Sequence, residues 1–197
     1  ILKPNNFVFY NLEKQFIFLL ENIEYYKFRL SNHALNNLRA IYLFSVYTKN
    51  ERIINYSLKF IDFLLYRYLD QNSFFKFGSS NYQFIFSKWL LDILLFSKSG
   101  DKKKYLKIKN RLKKIFSTLS FFVETDKYKN KTIPLFGNVS PDFDNNWIIN
   151  FFFKNKSNYF FKKYWKNIDI RIIQKKIKSK EWLKLNNKKF TIFLRNP

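Results

Sequence analysis

Apolar residues recur at helical spacing through the first 120 positions, and few residues interrupt them. Ile54, Leu58, Ile61 and Leu65 fall at i, i+4, i+7 and i+11, the stripe that one face of an α-helix presents. The same spacing joins Phe9, Leu12, Phe16, Leu19, Leu20 and Ile23 within residues 5–28, and Leu35, Leu38, Ile41, Tyr42 and Val46 within 32–48. It returns in Phe86, Trp89, Leu90, Ile93 and Leu94, and in Leu112, Ile115, Phe116 and Leu119 of a basic stretch ending near residue 120. Three Gly and four Pro in 197 residues are too few for a turn-dense β fold. Helices apolar on more than one side must be covered on more than one side, so the pattern predicts a layered bundle or toroid of helices. Asn50 is placed to cap the third helix and Ser79 or Ser80 the fourth. Residues 70–79 read as a loop and Ser99-Gly100-Asp101 as a turn.

Beyond residue 120 the pattern changes. Residues 124–132 are charged and polar, and Ile133 to Phe143 is an apolar stretch punctuated by Pro134, Gly137 and Pro141, which reads as a loop. Short helical stretches are expected in 145–165 and a basic connector after them. Trp182 to Leu185, a turn at Asn186-Asn187, and Phe190 to Leu194 read as a β-hairpin. The division is a helical domain over 1–165, a connector over 166–180 and the start of a β-domain over 181–197.

Hydrophobic residues at 47% and aromatics at 22% supply a core and exclude a disordered chain. The net charge of +23 makes the surface attractive to polyanions. The excess of Phe, Ile, Lys, Asn and Tyr follows AT-rich codons, as in an AT-rich bacterial genome, so part of that charge reflects codon bias. Without Cys there are no disulfides or thiolate metal sites. Met is absent even at position 1, no signal-peptide pattern opens the chain, and the sequence stops within a strand pattern, so it reads as an internal piece of a longer protein. A processed terminus is the alternative. No apolar run reaches the roughly 18 uncharged residues of a membrane span. Lys102 to Lys114 invites a nucleic-acid reading, but a solvated helix face accounts for it, and no glycine-rich phosphate loop, zinc spacing or Ser-His-Asp set accompanies it.

Two polar clusters open apolar helices. Ser31-Asn32-His33-Ala34-Leu35-Asn36-Asn37 offers an amide and an imidazole; Phe77-Gly78-Ser79-Ser80-Asn81-Tyr82-Gln83-Phe84 offers a phenol. Together they can form a catalytic cleft. Taken alone, Asn32 reads as a helix cap, His33 as structural and Tyr82 as one of 13 Tyr; a helix N-terminus favours anions, so cap and ligand roles can coexist. The Phe74-Phe75-Lys76-Phe77 run reads as packing and Ser140-Pro141-Asp142 as a structural turn.

Four segments, in order, resemble heparinase II/III-like polysaccharide lyases. Asn32 to Ala40 is similar to their NH-x-x-x-N-x-x-A helix start, and Gly78 to Phe84 with Trp89-Leu90-Leu91 to their GSSHYQF…RWLLE segment. Pro134 to Phe143 resembles their PLIGDISPDFP loop, and Trp182 to Arg195 the first strands of their C-terminal β-sandwich. The resemblance implies a mainly α fold: an incomplete (α/α) toroid of helical hairpins followed by the first strands of a truncated β-sandwich. It implies β-elimination on uronate-containing acidic polysaccharide by a periplasmic or secreted parent protein, with no cofactor and no metal. By that pattern Asn32 binds the uronate carboxylate, Tyr82 is the acid or base, and His33 assists. Asn36, Asn81, Gln83, Arg39 and Lys88 are the implied substrate contacts. A free Tyr has a pKa near ~10, so work as a base calls for cations near Tyr82, with Lys76, Lys88 and Arg39 as candidates. Asn81 stands where the family has His, and the family also uses a His from the β-domain. His33 is the only His here, so this piece alone is expected to show little activity without the rest of the β-sandwich. The alternatives are a basic, RNA-associated protein of ribosomal type and a non-catalytic module that binds acidic glycan.

Overall fold

The computed structural model describes residues 5–25, 30–96, 102–125, 131–134, 136–137, 182–186 and 191–195. They are mainly helical. Helices α1 (Asn6–Glu21), α2 (Asn32–Tyr47), α3 (Glu51–Tyr68), α4 (Ser80–Leu95) and α5 (Lys102–Thr118) are followed by a 3-10 turn over Leu119–Phe122. Two short antiparallel pairs complete the described part: β1 (Glu124–Thr125) with β2 (Lys131–Thr132), and β3 (Trp182–Asn186) with β4 (Thr191–Arg195). The expected turn at 99–101, the helical stretches of 145–165, the connector and the Ser140-Pro141-Asp142 turn lie outside the described residues.

The helix starts are set by side-chain caps. Asn5 accepts from the Val8 N–H at 2.9 Å, Ser31 from Ala34 at 3.4 Å, and Asn50 from Ile53 at 3.2 Å. Ser31, and not Asn32, therefore caps α2, which leaves the Asn32 side chain available for other work. Ser79 holds the cap position of α4 without a side-chain cap bond. The Ser80 hydroxyl is no cap either: it donates to the Pro134 carbonyl at 2.7 Å and accepts from the Phe136 N–H at 3.3 Å.

Ile54, Leu58, Ile61 and Leu65 of α3 are fully buried, as their spacing predicts. Each such side chain contributes about 1.5–3 kcal/mol relative to exposure. The α2–α3 turn passes through Lys49, whose φ of 58° is left-handed. Helix α4 is the centre of the packing, buried on several sides from Ser80 to Leu94 and flanked by α2 and α5. Helix α1 buries nothing completely; Phe9 and Phe16 lean on Phe44 of α2 at 5.9 and 4.7 Å between ring centroids. Leu12, expected to face inward, lies to one side of that contact line and is exposed. No helix among the described residues is long and apolar enough to cross a membrane.

The β3–β4 hairpin is docked on the helical part. Trp182, only 5% exposed, meets Phe122 and Phe136 at 5.5 and 4.9 Å. Lys184 pairs with Glu124 and donates to the Phe121 carbonyl at 3.0 Å. Strand alternation turns Trp182, Lys184 and Phe193 inward and leaves Leu183, Leu185, Ile192 and Leu194 on the outer face, each 40–46% exposed.

Candidate functional site

Helices α2 and α4 run in the same direction. Asn32 meets Tyr82 at their N-terminal ends, and further along Arg39 meets Asp92. The Asn32 Nδ2 donates to the Tyr82 Oη at 3.0 Å, across fifty positions of sequence. Both residues lie in the first turns of their helices, so two sets of outward-pointing N–H groups and two positive dipole ends converge there.

The scaffold beneath this pair is specific. The buried Tyr68 hydroxyl, at the end of α3, donates to the Ser31 carbonyl at 2.7 Å and accepts from the Ser31 N–H at 3.3 Å, which fixes the mouth of α2. The Tyr82 ring stacks on Phe86 at 5.0 Å and takes an edge from Phe77 at 5.4 Å. The mouth of α4 is held by the 134–137 segment through Ser80. Gly137 sits so close that an added Cβ would lie 2.1 Å from the Gly78 carbonyl oxygen, and its φ of +83° already favours glycine. Thus three segments distant in sequence, around residues 32, 80 and 136, meet at one place.

Burial raises the pKa of Tyr82, because a phenolate loses its hydration there. Two of the three cations that sequence reading offered to lower it are engaged elsewhere. Arg39 and Lys88 both bind the Asp92 carboxylate, at 3.0 and 2.9 Å, and the Arg39 guanidinium also lies 5.5 Å from the Trp89 ring centroid. A phenol with its pKa raised above 10.0 is protonated at neutral pH, so Tyr82 can donate a proton and cannot serve as the base.

The remaining sequence-predicted residues fall into three groups. His33 turns outward, 59% exposed, with its Nδ1 3.2 Å from the Glu24 carboxylate. Asn36 lies one helical turn after Asn32, and its Oδ1 is buried without a hydrogen-bond partner; the same holds for the Oδ1 of Asn81, a residue only 5% exposed. Gln83 is an interior tie. Its Oε1 accepts from the Phe75 N–H at 2.9 Å, and its Nε2 donates to Thr118 Oγ1 at 2.6 Å and to the Ser73 carbonyl at 3.3 Å. An amide spent in this way binds the 69–79 loop to α5 and presents nothing to a ligand.

Tyr68 escaped sequence reading as part of this site, and although Ser31 and the Pro134 to Phe143 loop were named, their ties to Tyr68 and Ser80 were not. The one local signal was Gly137, a glycine inside an otherwise apolar loop. A cleft of about 720 Å³ lies between α3 and α5, and neither Asn32 nor Tyr82 lines it. No family model matches the chain, and neither a curated protein nor a solved structure does.

Proposed function

We propose that the chain is the helical part of a polysaccharide lyase that cleaves uronate-containing glycans by β-elimination. The observation that carries the proposal is the 3.0 Å hydrogen bond between Asn32 and Tyr82 at the joined mouths of α2 and α4. A uronate C5 proton is weakly acidic because the adjacent carboxylate is already anionic. Elimination requires that carboxylate to be neutralised, the proton to be removed, and the leaving glycosidic oxygen to be protonated.

Converging helix N-termini and the Asn32 amide supply neutralisation without a buried counter-charge. Tyr82, a protonated phenol, donates to the leaving oxygen. A second group then takes the C5 proton, and the His that the family uses from its β-domain is the candidate. The α2–α3 hairpin and its neighbours then form part of a toroid, and β3–β4 opens a β-sandwich. The apolar outer face of Leu183, Leu185, Ile192 and Leu194 supports that reading, because a second sheet would cover it.

The test uses the protein encoded by the whole reading frame that carries this chain, incubated with galacturonan, alginate and heparan sulfate. Elimination yields a conjugated unsaturated uronate and fragments whose masses sum to the substrate without added water. Fragments carrying the mass of water, or no fragments from any uronan, overturn the proposal.

A further inference from the structure

The cleft between the C-terminal half of α3, the 69–76 loop and α5 is lined by four cationic side chains. Its wall carries Arg67, Lys76, Arg111 and Lys114 against a single carboxylate, Asp70. Its volume of about 720 Å³ is in the range of small-molecule sites, about 300–1,000 Å³. Two of the guanidinium groups are held in place. Arg111 Nε is bound to Asp62 at 3.0 Å, and Arg67 is held by the Tyr25 hydroxyl and lies 5.7 Å from the Tyr25 ring centroid. Lys114 is exposed and has no carboxylate partner among the described residues.

One further group narrows the ligand. Tyr66, also on the wall, is 74% exposed and offers a flat apolar face. The Asp70 carboxylate is turned into its own loop: Oδ1 accepts from the Asn72 and Phe74 N–H groups, both at 2.8 Å, and Oδ2 is buried. Cations for carboxylates and an aromatic plate for the C–H face of a sugar ring together describe one ligand chemistry.

We infer that this cleft is a binding subsite for a short acidic oligosaccharide, separate from the Asn32–Tyr82 pair. The two are near in sequence: Leu30 of the cleft precedes Asn32 by two residues, and Lys76 precedes the turn into α4. The inference rests on the acidic-glycan reading above, but its test needs no catalysis, so product formation and cleft binding stand or fall separately.

The experiment is calorimetric titration of the 197-residue chain with a short oligogalacturonate, with an uncharged oligosaccharide of equal length, and with an oligouridylate of equal charge. Variants Tyr66→Ala and Lys114→Glu alter exposed side chains and leave the core intact. Lys102→Glu makes the same charge change at the far end of α5, outside the cleft. Expected results are at least a tenfold loss of oligogalacturonate affinity for Tyr66→Ala and for Lys114→Glu. Lys102→Glu is expected to stay within about twofold of the parent, since a peripheral charge contributes little to a localised site. Equal losses for Lys102→Glu and Lys114→Glu, full binding by Tyr66→Ala, or tighter binding of oligouridylate than of oligogalacturonate would each overturn the inference.

Discussion

Replacing Gln83 by Leu removes three hydrogen bonds and keeps the volume nearly constant, so its cost measures the tie between the 69–79 loop and α5. The Phe75 N–H is buried and loses its acceptor at 2.9 Å; an orphaned buried donor costs about 1–3 kcal/mol. Thr118 Oγ1 keeps its own bond to the Ile115 carbonyl at 2.7 Å and loses only the donor from Gln83, about 0.5–1 kcal/mol. The Ser73 carbonyl, 3.3 Å away and part-buried, can turn to water at little cost. Leu regains some transfer energy, so the net loss is about 2–3 kcal/mol. For a chain of this size that lowers Tm by about 4–12 °C. Thermal denaturation followed by circular dichroism measures it. In the double variant with Thr118→Val, the two losses should fall short of additive by about 0.5–1 kcal/mol, because the two residues share one bond. A Gln83→Leu protein within about 0.5 kcal/mol of the parent would refute the interior role and return Gln83 to the solvent-facing set.

Gly137→Ala forces a left-handed alanine, at about 1–2 kcal/mol, and drives a Cβ toward the Gly78 carbonyl oxygen. It should lower Tm by several degrees and loosen the mouth of α4, seen as faster amide exchange at residues 80–82; an unchanged Tm would show that the two glycine loops do not press on each other. Stability should also fall at alkaline pH. Burial raises the pKa values of Tyr68, Tyr82 and Tyr105 above the ordinary 10.0, so the folded state holds these protons more tightly than the unfolded one. That contribution is intact below about pH 10 and is lost as pH rises through the raised folded values. Denaturant midpoints measured from neutral to strongly alkaline pH should be flat and then decline, and a midpoint that rises above pH 10 would contradict the burial.

The helices were legible because their stripes are regular: Ile54, Leu58, Ile61 and Leu65 could face one way only, and Asn50 stood where a cap is needed. The start of α4 was less legible. The hydroxyl of Ser80 is spent on a carbonyl 54 positions away, and no local rule anticipates a partner at that distance. The i,i+4 pair of Lys88 with Asp92 could be read from spacing, but Arg39, 53 positions from Asp92, could not. Leu12 failed for a different reason: helical periodicity names a face, but not how much of that face a neighbour covers. Gln83 sits inside a polar helix mouth, and only the packing of the 69–79 loop against α5 turns it inward.

The joined helix mouths make the most direct claim on function. Tyr82→Phe leaves the ring stacked on Phe86 and removes one part-buried hydrogen bond, so stability should change by only about 0.5–1.5 kcal/mol. In the protein encoded by the whole reading frame, the rate of unsaturated uronate formation should fall by about 10²–10⁴-fold, the typical contribution of a positioned acid. A Tyr82→Phe protein that releases the unsaturated product at the parent rate would contradict the account.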